Sequence, residues 1–354
     1  NEAINAEGLN ITNNPAALQT IVDSLEDVVA GTVDATDLTN IGATPSDTVS
    51  LKAINDVIKD EHTDVNNTTE VQTVINAIAK LNAGELDNTS ALDADDLAIL
   101  GITNSDGSAI TNAAFITNIN DAINLDGSDV TNRIAFVQDI ANVLNGLASG
   151  MLDQSGLTAL GVDLPAGVEI NALNEVILDT DTSIANAADV QAVVDAVENM
   201  NNAEDSTDDS LTSDDLATLG ITSEGQLITD STIIKAINDA INGNGLDITN
   251  NIGALQDIVN SLNDIADGQG NEEDFGNVGV VKPEGVSDEA INIVVNDPNT
   301  NVVTPAELQE VMDAIAKLNN AEANASDTID ADDLETLGIT GTNGLSVDEI
   351  AAVN

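Results

Sequence analysis

The stretch Asn67-Thr68-Thr69-Glu70-Val71-Gln72-Thr73-Val74-Ile75-Asn76-Ala77-Ile78-Ala79-Lys80-Leu81 carries one apolar stripe. Val71, Val74, Ile75, Ile78 and Leu81 fall at i, i+3, i+4, i+7 and i+10, the period of an α-helix, with no alternation of period two. Asn67 stands where an N-cap belongs, and Glu70 follows three residues later as in a capping box. The rhythm returns at Leu255, Ile258, Val259, Leu262, Ile265 and at Leu308, Val311, Met312, Ile315, Leu318.

This helix has two shorter neighbours. Before it, Phe115, Ile116, Ile119 and Ile123 share a face, as do Ile233, Ile234, Ile237 and Ile241. After it, Leu97 and Leu100, Leu216 and Leu219, or Leu334 and Leu337 lie three apart. Asp93 and Asp96, or Asp330 and Asp333, supply the cap and first-turn charge of this last helix, and a glycine stops it. The glycines are Gly42, Gly101, Gly161, Gly220, Gly279 and Gly338, spaced by 59, 60, 59, 59 and 59 residues. A glutamine recurs at Gln19, Gln72, Gln138, Gln191, Gln256 and Gln309, alternately 23 and 29 residues before its glycine. The sequence therefore predicts an all-α chain: a tandem array of six three-helix modules of ~59 residues, in three alternating two-module super-repeats. The glycines bound the modules at 1–42, 43–101, 102–161, 162–220, 221–279 and 280–338, and 339–354 starts a further one.

Composition limits function. The 354 residues include 63 Asp and Glu against 7 Lys and Arg, a formal net charge of -56. Nucleic acid is excluded as a partner, because phosphates are repelled and no stacking platform offsets the repulsion. No cysteine is present, so thiol catalysis and thiolate metal sites are excluded. His62 is the only histidine, and with three Phe, no Trp and no Tyr there is little to build a substrate pocket from. The expectation is a protein that is not an enzyme. A hydrophobic fraction of 42%, placed periodically, separates the chain from disordered sequences. No apolar run reaches the ~18 residues of a membrane span, so membrane insertion is not expected. The chain opens at Asn1 without an initiator Met or signal peptide, which reads as a fragment or processed product.

Two sets of residues are candidates for a role beyond the core. Oxygen-bearing side chains alternate after the first helix at Asp60, His62 and Asp64, at Asn124, Asp126 and Ser128, at Asp179, Asp181 and Ser183, and at Asp297, Asn299 and Asn301. This pattern matches positions 1, 3 and 5 of a calcium loop and makes calcium the candidate cofactor, with Asp60, Asp64, Asp126, Asp179, Asp181, Asp297 and Asn299 as ligands. The second half of such a loop is missing: Val65, Ile184 and Val302 stand where glycine belongs, and no glutamate stands at position 12. The second set is the amides: the glutamines above, and Asn5, Asn55, Asn120, Asn174, Asn238 and Asn292. Each flanks an apolar stripe by one position. An amide there hydrogen-bonds an adjoining helix, because buried amides need partners, and the set is expected to fix how helices and modules dock.

An Asp-, Asn- and Thr-rich, cysteine-free, Lys-poor tandem repeat resembles the repeat tracts of giant secreted bacterial surface adhesins of the type I secretion class. The resemblance covers essentially the whole chain and is one of composition and architecture. The Gly-Gly-x-Gly-x-Asp nonapeptide of that class is missing, and its familiar extender modules are β-sandwiches. The resemblance implies secretion, a cell-surface or extracellular-matrix location, and a role as stalk or spacer. The alternative is a self-assembling subunit of an extracellular filament or surface layer, calcium-dependent or salt-dependent, because cations screen like charges. The expected partners are neighbouring modules, identical chains and divalent cations.

Overall fold

The computed structural model describes residues 2–5, 11–85, 90–125, 130–205, 211–242, 246–323 and 328–340. It is all-α, 61% helix. In chain order the helices are α1 (Glu2–Asn5), α2 (Pro15–Ala30), α3 (Ala35–Ile41), α4 (Leu51–Lys59), α5 (Thr68–Gly84) and α6 (Ala94–Ile99). Then come α7 (Ala113–Ile123), α8 (Ile134–Gly146), α9 (Gln154–Ala159), α10 (Ile170–Leu178), α11 (Ala187–Asp205) and α12 (Ser213–Thr218). The last six are α13 (Ser231–Ile241), α14 (Ile252–Ala266), α15 (Glu272–Asn277), α16 (Asp288–Val295), α17 (Pro305–Ala323) and α18 (Ala331–Thr336). The strands among the described residues, β1 (Thr222–Ser223) and β2 (Gln226–Leu227), pair antiparallel. Both residues of their turn, Glu224 and Gly225, have positive φ, as a tight hairpin requires.

The chain divides into two compact units. One comprises Asn1–Leu164 with Ile184–Gln191, the other Pro165–Ser183 with Ala192–Asn354. In the first, α2 packs on α3, α5 lies between α4 and α6, and α8 lies between α7 and α9. In the second, α14 packs against α13 and α15, and α17 against α16 and α18. The stripe read from the sequence is the buried face of α5: Val71, Val74, Ile75, Ile78 and Leu81 are all in the core. Phe275 is the largest fully buried side chain, with Leu38 and Leu97 at the same place on α3 and α6.

Side chains start the helices and glycines end the short ones. Asp34, Asp93, Thr212, Asn271 and Asp330 each form a capping box with the Asp three residues on. Gly42, Gly101, Gly161, Gly220, Gly279 and Gly338 all have positive φ. The residue after each donates back to the same place in its helix, Ala43 to Leu38 at 2.8 Å and Ile102, Val162, Ile221, Val280 and Ile339 to Leu97, Leu157, Leu216, Phe275 and Leu334 at 2.9 Å. This is the Schellman ending, and Ala43, Ile102, Val162, Ile221 and Val280 are buried there. The first-turn acids of α5, α11 and α17 reach one residue further back than a capping box does, and Glu307 completes the box on Thr304 as well. Glu70 accepts from Asn66 N–H at 2.6 Å, Asp189 from Ala185 N–H at 2.9 Å, and Glu307 from Val303 and Thr304 at 2.8 and 2.9 Å.

The caps carry a pH dependence. Backbone N–H groups of Asp37 and Thr36 lower the pKa of Asp34, the Ser155 hydroxyl and Gly156 N–H lower Asp153, and the Thr232 N–H and hydroxyl lower Asp230. A folded pKa below the unfolded one, ~3.9 for Asp, means the cap stabilises fully above that value. Its contribution is lost as pH falls through the folded pKa. In a carboxyl-carbon NMR titration these three aspartates are expected to protonate after the bulk of the surface carboxylates.

Candidate functional site: recurring amide latches

A short helix leaves extended backbone on both sides, whose N–H and C=O groups need partners. Carboxamides from downstream helices supply them, one oxygen and one nitrogen per residue. Before α3, Asn55 of α4 accepts from Val33 N–H at 2.8 Å and donates to Val33 O at 2.9 Å. Asn120 of α7 does the same to Leu92, at 2.8 and 2.9 Å, and Asn238 of α13 to Leu211, at 2.8 and 3.0 Å. Asn238 is 9% exposed and Leu211 1%, so this latch is dry. At Gly270 only half of it forms: Asn292 Nδ2 donates to Gly270 O at 2.9 Å, while its Oδ1 is buried and unpaired.

On the far side of α3, α6, α12 and α15 a glutamine repeats the device. Gln72 takes both groups of Thr44 at 2.7 and 3.3 Å, and Gln138 those of Thr103 at 2.9 and 2.9 Å. Gln256 takes those of Thr222 at 3.1 and 2.8 Å, and Gln309 those of Val281 at 3.0 and 3.1 Å. An amide or carboxylate one helical turn on, Asn76, Asn142, Asn260 or Asp313, accepts from each glutamine and orients it. Gln19 has the orienting partner, Asp23, at 2.7 Å. Asn174 and Gln191 each have an interaction of their own. Asn5 closes α1 in register with Asn124 after α7 and Asn242 after α13, four residues past the latch position, so it is not a member of the series.

The oxygen-bearing series after the first helix is placed in a turn. Asp60 Oδ1 accepts from His62 N–H at 2.8 Å, Asp179 Oδ1 from Asp181 N–H at 2.7 Å, and Asp297 Oδ1 from Asn299 N–H at 2.8 Å. Three residues beyond each aspartate a threonine hydroxyl closes the helix, Thr63 on Val57 O at 2.5 Å, Thr182 on Val176 O and Thr300 on Val294 O at 2.6 Å. Asp64 accepts from the Asn66 side chain. Asp126 lies outside the described residues. Among the described residues no group of three or more His, Asp or Glu side chains is placed to hold a metal ion. The glycines Gly101, Gly220 and Gly338 back directly onto these turns. A Cβ on Gly220 would lie 2.9 Å from Thr182 Cγ2 and 3.3 Å from Asp179 Cγ.

Several of the scarce lysines are paired with carboxylates. Lys80 meets Asp93 at 3.2 Å and also Asp96, Lys317 meets Asp333 at 2.5 Å, and Lys282 meets Asp288 at 2.5 Å. The bond to Asp96 raises the Lys80 pKa, and that to Asp333 raises Lys317. Burial raises Asp333, but Asp330 N–H and the Lys317 ammonium outweigh it and hold the carboxyl below its ordinary value. Arg133 lies 4.3 Å over the Phe136 ring.

Among the described residues no helix is long and apolar enough to cross a membrane. Comparison with family models, curated proteins and solved structures found no match to this chain.

Proposed function

We propose that the chain is a non-enzymatic structural repeat segment, six three-helix modules in three alternating pairs, serving as a stalk, spacer or matrix segment of an extracellular bacterial surface protein. The observation that carries this reading is the amide latch. In each asparagine latch a side chain of one module's first helix grips the backbone before the preceding module's short helix, as Asn120 grips Leu92 and Asn238 grips Leu211. Such links couple each module to its neighbour, and nearest-neighbour coupling is what gives a repeat protein its stability. The net charge of -56 supports an exposed, soluble role, with divalent cations as diffuse counter-ions that screen it. Location follows from the resemblance to secreted adhesins.

The test of location is direct. An antibody against this chain is expected to label intact cells of the source organism or their surrounding matrix, and brief protease treatment of intact cells should remove the label. Labelling that appears only after permeabilisation would contradict the proposal.

A further inference from the structure

One crevice inside the second unit is walled almost wholly by aliphatic side chains. It lies where α13, the end of α14 and the start of α17 meet, and its volume is about 220 Å³. Ala236, Ile265, Val278 and Leu308 on its wall are each 5% exposed or less, and Ile233 and Leu262 beside them are half-buried. The polar side chains of the wall are engaged within the fold. Asn263 Oδ1 accepts from the Ser223 hydroxyl at 3.0 Å, and the Thr304 hydroxyl accepts from Glu307 N–H at 3.3 Å.

The first unit has the same place 118 residues earlier, the distance from Gln138 to Gln256, and the differences run one way. Phe115 stands where the second unit has Ile233, and Asn118 where it has Ala236. Asn118 Nδ2 donates to Ala185 O at 2.9 Å, a bond that Ala236 has no group to make to Val303. Asn186 and Ala187 give way to Thr304 and Pro305, so the wall loses amides and gains carbon. Leu144 is in the core, whereas Leu262 in its place is half-buried. A smaller residue at two positions of α13 thus leaves room beside a wall that has become more apolar.

We propose that this crevice binds a small neutral apolar molecule, one ring or a chain of about six to eight carbons. Size sets the first limit. The volume exceeds the ~150 Å³ of a dry apolar cavity that takes benzene and lies below the ~300 Å³ at which pockets for drug-sized ligands begin. It therefore holds one ring or a short chain and not a peptide segment. Charge sets the second limit. A net charge of -56 repels an anion. A cation would exchange its water for an aliphatic wall, which is unfavourable without a paired acceptor. Aliphatic contact is what the wall offers, and burying apolar surface is what drives binding there. The site is independent of the spacer reading, so either stands if the other fails.

Methyl proton–carbon NMR spectra of the whole chain, titrated with toluene, test it. Saturable shifts are expected at the methyls of Ile233, Ile265, Val278 and Leu308, with none at Leu147, Leu160 and Val190, which hold the last three places in the first unit. 1-Hexanol is expected to move the same methyls, and hexanoate, of similar shape but charged, to bind at least about tenfold more weakly. The double variant Ile233→Phe with Ala236→Asn installs the first unit's residues. It is expected to stay helical by circular dichroism and to bind toluene about tenfold or more weakly than the parent. The parent's own methyl map decides the matter even if that variant does not fold. Shifts that rise without saturating, or that fall equally on the methyls of both units, overturn the proposal. Hexanoate that binds as tightly as 1-hexanol overturns it too, as does a folded double variant that binds toluene like the parent.

Discussion

Asn238→Leu is expected to destabilise the second unit by about 2–4 kcal/mol, because two buried backbone groups of Leu211 lose their partners at once. Leucine keeps asparagine's heavy-atom branching but is bulkier, so the loss combines the missing hydrogen bonds with some overpacking at this buried position. The comparison is Gln72→Leu. Its partner Thr44 is exposed, and water can take over both bonds, so the expected cost is under about 1 kcal/mol. Urea unfolding of both variants beside the parent checks the pair. Equal losses would mean that the latches act through side-chain packing alone.

The second large effect is at the glycine that ends α12. Gly220→Ala forces a Cβ into a residue at φ +75, which costs ~1–2 kcal/mol by itself. It also pushes on Thr182, whose hydroxyl closes α10 on Val176 O. The expected total is about 2–4 kcal/mol. Gly225 has φ +72 with nothing within 4 Å of the same Cβ, so Gly225→Ala should show the backbone cost alone. If the two variants unfold at the same urea concentration, the close packing of Gly220 on the Asp179–Thr182 turn contributes nothing.

The helices were legible because the core of this protein is aliphatic and periodic. The stripe at Val71–Leu81 became the buried face of α5, and the glycine after each leucine pair became a left-handed stop. The positions of the amides were legible too, but their partners were not. Gln72 bonds a residue 28 positions upstream and Gln138 one 35 positions upstream, and nothing local specifies such a pairing. The alternating oxygens at Asp60, Asp179 and Asp297 illustrate a different limit. A calcium loop and a helix-closing turn both need an oxygen side chain at the first position, so the spacing alone does not separate them. Thr63, Thr182 and Thr300, three residues after each aspartate, are the signal for the helix-closing turn. Asn132 and Asn250, which accept from Ser50 N–H and Glu169 N–H, are not legible for the same reason as the hairpin at Glu224-Gly225. Their role depends on positive φ, which non-glycine residues adopt only when surrounding contacts hold them there.

Coupling between neighbouring modules through these amides is the claim on which the functional reading stands. Native-state hydrogen exchange of the Asn238→Leu chain tests it most directly. The account predicts that α12, which precedes the latch, and α13 with α14, which follow it, lose protection together. Loss confined to α13, with α12 as protected as in the parent chain, would contradict it.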